Sequence, residues 1–323
     1  IAGASGIRVF TITSVADAIL VDMKMTGTTL ATILATTADN LVVRRITVSG
    51  GSIGISTTSA GNGLVVEGCD ISGQSAGGID VGHSGTVYIL NNKIHDMTSA
   101  TGIYGIRLND LVVTADFRLA GNEIYDLEMT GTGIAVGIEI PSFRTALIQN
   151  NFVHDIFAIG DSTGRPIGIG RTSAGLAATS VIGNTVVSIL CLNSALYSGG
   201  LGIGILVNHD NEAVESNSVK ACDVGIHVLS SAVDKAYVSG NFAQDNGQLI
   251  DRGGCESTTP PAPRTELTNT LTLCTFARSS VRAYTGTYSY RLTKTGVGTP
   301  SAYLQDTVLT TDMHGFLPGV LYR

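Results

Sequence analysis

The stretch NNKIHDM at residues 91–97 returns as GNEIYDL at 121–127 and as NNFVHDI at 150–156. Each copy places an Ile or Val two residues after an Asn, and an Asp two residues after that apolar residue. Aligned on the apolar residue, related segments recur every 23 to 33 residues, in eight units centred on Ile46, Ile71, Ile94, Ile124, Val153, Val186, Val219 and Ala243. Self-similarity at such a period indicates a repeat architecture.

A second pattern lies between these units. It is a short Gly-Ile strand, read as GISTT at 54, GIDVG at 78, GIRLN at 105, GIEIP at 137, GIGRT at 168, GILVN at 204 and GIHVL at 225. Each unit therefore holds at least two short strands separated by Gly, Asn, Ser and Asp turns, with no room for an amphipathic helix of about ten residues. Because so small a unit cannot bury its own apolar face, successive units must stack. The sequence predicts an all-β solenoid of parallel strands.

The composition agrees with many short strands and limits the classes of function. The 323 residues include 40 Gly and 43% hydrophobic residues, with only 14% charged residues and no Trp. The formal net charge of -7 argues against nucleic-acid binding, since such surfaces carry a basic stripe. No run of about 18 apolar residues is present, so we expect no membrane span. The chain opens and closes within strand-like patterns, and we expect it to be a piece of a longer protein.

The repeat resembles the right-handed parallel β-helix family of pectate lyases, alginate epimerases and phage tailspikes, in which a GN.I.d turn followed by a GI strand marks each coil. The resemblance covers about residues 7–250 and implies a β-helix over residues 1–250. It also implies an extracellular, cell-surface or virion-surface protein that recognises a polysaccharide or other glycan and forms a homo-oligomer, such as a trimer or fibre. Two alternatives stay open: a polysaccharide lyase or glycoside hydrolase, and a structural subunit of a surface fibre or appendage.

The aligned Gly-Ile strands predict one charged column, made of Asp80, Arg107 and Glu139 on successive coils. Carboxylates can supply acid-base catalysis and Arg can bind an anionic sugar, so these three are the candidate catalytic residues. An alternating-sign ladder that stabilises a solvated sheet is the alternative. Four neighbouring side chains are candidate carbohydrate-binding residues: His83, Asp110, Arg171 and His209.

The first pattern predicts two further outward columns. His95, Tyr125 and His154 share one, together with Thr47, Ser72, Val187, Lys220 and Gln244, and Asp96, Asp126 and Asp155 share the next. At a strand spacing of about 4.8 Å, stacked carboxylates repel each other. Each Asp is therefore a turn residue that accepts backbone N–H bonds, a ligand of a cation such as calcium, or the partner of a His in acid-base catalysis. The last role requires the chain to turn between His and Asp, because neighbouring strand residues point to opposite faces.

The repeated Asn and the thiols carry further predictions. Each Asn before the central apolar residue is placed to hydrogen-bond its copies in the coils above and below. The five Cys lack CxxC spacing, which argues against a zinc site, whereas a Cys255–Cys274 disulfide would suit an oxidising compartment. Calcium is thus the one candidate cofactor.

The tail predicts a second domain. CESTTPPAPRTE at 255–266 is rich in Pro, Ser and Thr, which indicates a linker over residues 251–268. The following VRAYTGTYSYRLTKTG and DMHGFLPGVLYR resemble the start of a jelly-roll carbohydrate-binding module, which would be incomplete at residues 269–323. Tyr288 is its candidate sugar-binding ring, although aromatic residues in alternating strands also fill sandwich cores.

Overall fold

In the computed structural model the chain is built from β-strands. The structure describes residues 9–27, 29–58, 61–82, 84–108, 115–139, 145–159, 165–170, 179–192, 202–208, 212–228, 237–244, 246, 248–252, 274–279 and 289–294. Within these ranges there is no helix, and so none that is long and apolar enough to cross a membrane. The internal contacts divide the chain into two units, Ile1–Gly253 and Gly254–Arg323.

The first unit is a series of short strands. In chain order, those from the first six coils are β1 (Phe10–Thr13), β2 (Ile19–Val21), β3 (Lys24–Thr26), β4 (Ile33–Thr36), β5 (Leu41–Arg44), β6 (Thr47–Ser49), β7 (Ile53–Thr58), β8 (Asn62–Glu67), β9 (Asp70–Ser72), β10 (Gly77–Val81), β11 (Ser84–Leu90), β12 (Lys93–His95), β13 (Met97–Ser99), β14 (Ile103–Leu108), β15 (Ala115–Ala120), β16 (Glu123–Met129), β17 (Ala135–Glu139), β18 (Thr145–Gln149) and β19 (Phe152–Ala158). The series continues with β20 (Pro166–Gly170), β21 (Thr179–Ile182), β22 (Thr185–Cys191), β23 (Ile203–Val207), β24 (Ala213–Glu215), β25 (Ser218–Lys220), β26 (Val224–Val228), β27 (Tyr237–Ser239), β28 (Phe242–Gln244) and β29 (Gln248–Arg252).

These strands form three parallel sheets. Sheet 1 has the order β1-β4-β7-β10-β14-β17-β20-β23-β26-β29, sheet 2 the order β2-β5-β8-β11-β15-β18-β21-β24-β27, and sheet 3 the order β3-β6-β9-β12-β16-β19-β22-β25-β28, with β13 also paired to β16. Each coil of the chain contributes to sheet 1, then sheet 2, then sheet 3, and every strand lies beside its counterpart in the next coil. The predicted all-β parallel solenoid is therefore confirmed.

The Gly of each Gly-Ile strand is required by close packing inside the solenoid. A Cβ on Gly137 would lie 2.5 Å from the carbonyl oxygen of Gly168 and 2.5 Å from Cγ1 of Val153, where no side chain fits. Gly105 has the same surroundings, with the carbonyl oxygen of Gly137 at 2.6 Å and Cγ2 of Ile124 at 2.5 Å. Ile124 and Val153 are the central apolar residues of the first sequence pattern. The two patterns recur together because the Gly of one receives the inward side chain of the other.

A ladder of buried amides joins the coils. Oδ1 of Asn151 accepts hydrogen bonds from the backbone N–H of Asn122 at 3.0 Å and from its Nδ2 at 2.9 Å. Nδ2 of Asn151 in turn donates to Oδ1 of Asn184 at 2.9 Å and to the carbonyl of Leu119 at 3.2 Å. The ladder consists of Asn92, Asn122, Asn151, Asn184, Asn217 and Asn241. The predicted hydrogen bonding between Asn copies is confirmed, and each amide satisfies backbone groups that would otherwise be buried without partners.

The register differs from the sequence alignment in the early coils. Val48 pairs with Ile71, and Ser49 rather than Thr47 lies beside Ser72. The placement of Thr47 in the His95 column was wrong by two residues because Ile46 and Val48 are both fully buried, so either satisfies the apolar pattern. The structure also has an earlier coil, in which Met25 of β3 pairs with Val48. The alignment began at the unit around Ile46 and did not include this coil, whose strand β3 reads KMT.

In the second unit the described residues form a strand pair. β30 (Cys274–Ser279) and β31 (Ser289–Lys294) are antiparallel, with Cys274 opposite Lys294. The first two residues of the predicted linker, Asp251 and Arg252, belong to strand β29. Residues 253–268 of that linker, Tyr288 and Cys255 lie outside the described residues, so the jelly-roll resemblance, the sugar-binding role of Tyr288 and the Cys255–Cys274 disulfide stay predictions.

Candidate functional site

The charged column predicted from the Gly-Ile strands lies on the outward face of sheet 1. Asp80 of β10 is in register with Arg107 of β14, which is in register with Glu139 of β17. The inward positions just before them, among them Ile106 and Ile138, are fully buried in the core. The rest of the predicted column follows the same register, with Ser56, Gly170, Leu206 and His227.

Asp80 and Arg107 form a two-pronged ion pair. Nε of Arg107 donates to Oδ1 of Asp80 at 3.1 Å, and Nη2 donates to Oδ2 at 2.6 Å. The Asp80 side chain is only 10% exposed, whereas that of Arg107 is 35% exposed. Both Asp80 oxygens are thus engaged, and the guanidinium is the part of the pair that meets solvent. This arrangement engages both Asp80 oxygens in charge-assisted hydrogen bonds to Arg107, which does not favour a proton-transfer role for this carboxyl group.

Tyr104 of β14 belongs to the same site, although sequence reasoning missed it. The guanidinium carbon of Arg107 lies 4.1 Å from the centre of the Tyr104 ring, a cation–π contact. The ring lies flat over Gly77 in the preceding coil, where any Cβ would collide with it. A signal was present in the sequence, since Tyr104 is in register with Gly77 and stands three residues before Arg107.

The hydroxyl of Tyr104 is the unusual group of this site. The residue is 8% exposed, and its hydroxyl is buried without a hydrogen-bond partner among the described residues. Burial, followed by the charge of Asp80, raises the pKa of Tyr104, so the phenol stays protonated at physiological pH. Asp80 is near enough for both its charge and a side-chain interaction with the phenol to raise this pKa, although the contact falls short of full hydrogen-bond geometry.

Arg107 remains a cation in this setting. Burial alone would lower its pKa, but the hydrogen bonds to Asp80 and the charges of Asp80 and Glu139 outweigh that effect and raise the pKa above its usual range. The site therefore combines one fixed cation, two carboxyl groups and a protonated phenol.

The four candidate carbohydrate-binding residues of the first unit lie outside the described residues. Their places in the sequence follow the ends of sheet 1 strands: His83 follows β10, Asp110 follows β14, Arg171 follows β20 and His209 follows β23. Their sugar-binding roles stay predictions.

A second polar cluster lies on the outward face of sheet 3. The rings of His95, Tyr125 and His154 stack along the helix axis, with centroids 5.0 Å and 4.9 Å apart and interplanar angles of 4° and 2°. The predicted column of these three residues is confirmed and continues through Val187, Lys220 and Gln244. Since the ring faces cover one another, the stack offers no broad flat face to a sugar ring.

Each neighbouring Asp is a turn residue. Asp96, Asp126 and Asp155 have left-handed backbone φ angles of 53°, 51° and 53°, a conformation that Asp and Asn tolerate better than most residues. The turn brings adjacent side chains to the same face, so that Nδ1 of His95 lies 2.8 Å from Oδ2 of Asp96, and His154 and Asp155 repeat this contact at 2.8 Å. The geometric condition for a His-Asp pair is therefore met.

The surroundings of these pairs argue against catalysis and against a cation site. Nε2 of His95 is occupied by Asp70 at 2.8 Å, and Nε2 of His154 is buried, with Oε1 of Glu123 3.7 Å away, beyond hydrogen-bond distance. Over the described ranges, no group of three His, Cys, Asp or Glu side chains is arranged to hold a metal ion. The carboxylates of Asp96 and Asp155 point to their His neighbours, so the geometry favours the turn interpretation over calcium at Asp96, Asp126 and Asp155.

Asp126 is the middle one of the three stacked carboxyl groups. Burial, then the charges of Asp155 and Asp96, raises the pKa of Asp126, which lies between them.

The pKa values of two buried thiols are also raised: burial raises the pKa of Cys69 to about 11 and that of Cys222 to about 12. Both thiols are unfit as nucleophiles near neutral pH.

Comparison with known proteins supports the fold. A family model described as "Right handed beta helix region" matches residues 5–186, which is more than half of the chain. No curated protein and no solved structure matches the chain. Together with the three parallel sheets, this match shows that the chain belongs to the right-handed β-helix family.

Proposed function

We propose that the protein recognises a polysaccharide on the outward face of sheet 1, at a site formed by Arg107 with Tyr104, Asp80 and Glu139. The observation that carries the proposal is the Asp80–Arg107 pair, which fixes a partly exposed guanidinium over an aromatic ring. Arg has five N–H donors and Asp80 uses two of its nitrogens, so donors remain for sugar oxygens. A long stack of parallel strands also provides an extended repeating face that suits a chain-like ligand.

Binding is favoured over cleavage by the state of Asp80. Most glycoside hydrolases need two carboxyl groups that flank the scissile bond, one of them able to give or take a proton. Both oxygens of Asp80 are held by Arg107, and Glu139 is the other carboxyl group of the predicted trio, in register with Arg107. A polysaccharide lyase or hydrolase is therefore the alternative that a test must include, with Glu139 as its critical residue.

The first experiment measures binding and cleavage in parallel. Isothermal titration with neutral, acidic and amino-sugar polysaccharides would compare the intact chain with Arg107→Lys, which keeps the charge but loses the two-pronged geometry. Arg118→Lys is the matched control, since Arg118 is an exposed residue of β15 on sheet 2. We expect Arg107→Lys to weaken binding about tenfold or more and Arg118→Lys to leave it unchanged. Equal effects of the two variants, or no binding to any polymer by the intact chain, would refute the proposal.

The same polymers are assayed for release of reducing ends and of unsaturated sugars. Release that disappears in Glu139→Gln, with folding retained, would establish the depolymerase alternative and place its site. Release that persists in Glu139→Gln would assign the cleavage to another site.

Self-association is a second role with its own observation. One outward column of sheet 2 carries consecutive apolar residues, Ile19, Val42, Val65 and Tyr88, on four successive coils. Ile19 is 66% exposed and Tyr88 is 37% exposed. Exposed apolar surface of this kind suits contact with copies of the same chain, in a trimer or a surface fibre. An extracellular, cell-surface or virion-surface location fits both roles and is part of this proposal.

Sedimentation equilibrium tests the association. We expect an oligomer for the intact chain and a shift toward monomer for Ile19→Ser with Tyr88→Ser. A monomer at all concentrations in the intact chain would refute the fibre and trimer roles without affecting polysaccharide binding.

A further inference from the structure

The outward face of sheet 2 carries a cation within an apolar column. Arg118 of β15 lies in register between Tyr88 of β11 and Leu147 of β18. Arg118 is exposed and forms no ion pair with a described residue. Tyr88 is 37% exposed and Leu147 is partly exposed, so apolar surface borders the guanidinium on both neighbouring coils. Whatever covers this column must supply a group that suits Arg118, because a cation that loses water needs a partner.

The outward residues of sheet 2 form two columns. Column A consists of Ile19, Val42, Val65, Tyr88, Arg118, Leu147, Ser180, Ala213 and Tyr237. Column B lies two residues later on each strand and consists of Val21, Arg44, Glu67, Leu90, Ala120, Gln149, Ile182, Glu215 and Ser239. Arg44 and Glu67 pair with each other at 2.8 Å, so together they add no net charge to the face. Between β5 and β18, the one charge of these columns without an ion pair among the described residues is that of Arg118.

We propose that sheet 2 packs face to face on sheet 2 of a second copy of this chain, with the two solenoids antiparallel. The two-fold axis runs parallel to the strands and passes between β11 and β15. The inference rests on the self-association proposed above and names its arrangement. Packed sheets keep their strand directions within about 30° of each other, which this axis allows because it leaves the strand direction unchanged.

The central contact of this dimer gives Arg118 a partner. The axis places β11 of one copy opposite β15 of the other, so the ring of Tyr88 faces the partner's Arg118. Symmetry makes this contact twice, and a guanidinium over the face of a Tyr ring is a favourable cation–π arrangement. Tyr and Arg are also among the residues that contribute most to binding at protein interfaces.

The contacts away from the centre match in character. Glu67 faces the partner's Gln149, whose amide can donate to a carboxylate. From β2 to β24, no residue of the two columns faces a like charge. The apolar matches are Val65 with the partner's Leu147, Leu90 with the partner's Ala120, and Ile19 with the partner's Ala213.

Neighbouring positions of the axis are less favourable. Centred on β15, the axis would place Arg118 opposite the partner's Arg118. Centred on β11, it would place Arg118 opposite the partner's Val65. In either case a cation would be buried without a partner.

A parallel arrangement also fits less well. An axis along the solenoid would align the copies coil for coil and place Arg118 opposite the partner's Arg118. A shift along the strands would bring Arg118 to the partner's Asp116, but it would set Leu147 against the partner's Thr145 and lose the apolar contact. A closed trimer requires two different faces in contact, whereas this face complements itself.

Cross-linking distinguishes these arrangements. Val65→Cys and Leu147→Cys proteins are treated with a short bis-maleimide, each alone and as a mixture made from dilute solutions so that subunits exchange. In the antiparallel dimer Val65 faces the partner's Leu147, whereas the two copies of Val65 lie three coils apart along the axis, about 14 Å. We expect a cross-linked dimer from the mixture and none from either variant alone. The intact chain, treated alike, is the control for its own cysteines.

Arg118→Gln tests the central contact, because it keeps a polar side chain but removes the cation that faces Tyr88. In sedimentation equilibrium we expect a dimer dissociation constant about tenfold higher or more than that of the intact chain. Arg45→Gln is the matched control, since Arg45 is an exposed cation at the turn after β5 and lies outside both columns. Its dimer should be as tight as that of the intact chain. An unchanged dissociation constant in Arg118→Gln would overturn the central contact.

The remaining outcomes separate this inference from the self-association on which it rests. A cross-linked dimer from Val65→Cys alone would show copies aligned coil for coil, and would overturn the antiparallel arrangement while self-association stands. A dimer in sedimentation that gives no cross-link in the mixture would overturn the sheet 2 interface. A monomer at all concentrations would overturn self-association and this inference together.

Discussion

Arg107 donates two hydrogen bonds to the carboxylate of Asp80 in the preceding coil, and the Asp80 side chain is far more buried than that of Arg107. Removing Arg107 would leave a buried charge without its partner, which costs more than the pair contributes when intact. We expect Arg107→Met to lower the free energy of unfolding by about 2 kcal/mol, and Asp80→Asn added to it to restore most of that loss.

Urea unfolding followed by circular dichroism checks this cycle. Arg44→Met is the control, because Arg44 and Glu67 form a half-exposed pair at 2.8 Å on sheet 2 whose loss should cost less than about 1 kcal/mol. An Arg107→Met protein as stable as Arg44→Met would show that the Asp80 charge is solvated after all.

Asp126→Asn should stabilise the protein. Asn tolerates the left-handed backbone at this position and removes the middle charge of three stacked carboxyl groups. Since the folded-state pKa of Asp126 is raised, its contribution to stability is fully present below the unfolded pKa of about 3.9 and is lost as pH rises through the folded pKa. The advantage of Asn should therefore be absent near pH 3 and reach a few tenths of a kcal/mol at pH 7.

The measurement for Asp126 is the urea midpoint of both proteins from pH 3 to pH 8. Asp116→Asn, at an exposed position of β15, provides the comparison. A constant difference across the pH range would contradict electrostatic repulsion as the cause.

Asn151→Ala should be among the most damaging changes to the fold. It leaves the backbone N–H and Nδ2 of Asn122 and the carbonyl of Leu119 without their bonds to residue 151, and the Oδ1 of Asn184 keeps only its bond from the backbone N–H of residue 151. We expect a loss of about 3 kcal/mol or more, since each unsatisfied buried group costs roughly 1–3 kcal/mol.

Asn241→Ala calibrates that loss at the end of the ladder. Asn241 is only partly buried and accepts from Asn217, with no later Asn of the ladder to receive its own amide. Its substitution should cost clearly less in the same urea titration. Equal losses at both positions would mean that the amides act independently of their place in the ladder.

Gly137→Ala tests the close approach of coils. The new methyl group would meet the carbonyl oxygen of Gly168 and Cγ1 of Val153, both at 2.5 Å, and backbone cannot yield as a flexible side chain can. We expect a loss of at least about 2 kcal/mol, or failure to fold. Measured by thermal unfolding, Gly68→Asn should be mild, because its Cβ would meet only Cγ of Arg45 at 3.7 Å and Asn91 already adopts the left-handed conformation in the next coil. Equal tolerance of both substitutions would contradict the steric argument.

Most of the fold was predictable because each repeated residue meets a steric or hydrogen-bonding need that recurs in every coil. The Gly of the Gly-Ile strands makes room for Ile124 or Val153, and counting from that Gly placed Asp80, Arg107 and Glu139 in one column correctly. The misplacement of Thr47 arose where alternation offers two equivalent buried positions, Ile46 and Val48.

The site was less predictable because it depends on dihedral angles and on contacts between coils. Strand alternation places His95 and Asp96 on opposite faces, and only the left-handed φ of Asp96 brings them together. Tyr104 was missed because its place depends on an empty position at Gly77 in the preceding coil and on a cation that covers it. The sequence of one coil does not show which side chains of the neighbouring coil pack against it.

The coils that carry the amide ladder make equivalent contacts with their neighbours. Each Asn accepts from the coil before it and donates to the coil after it, so a coil duplicated whole would find the same partners on both sides. Every such duplication would extend the molecule by one strand spacing, about 4.8 Å, without a new core. The number of coils therefore sets the length of the solenoid, and that length can change in steps of one coil while the residues of each coil stay as they are.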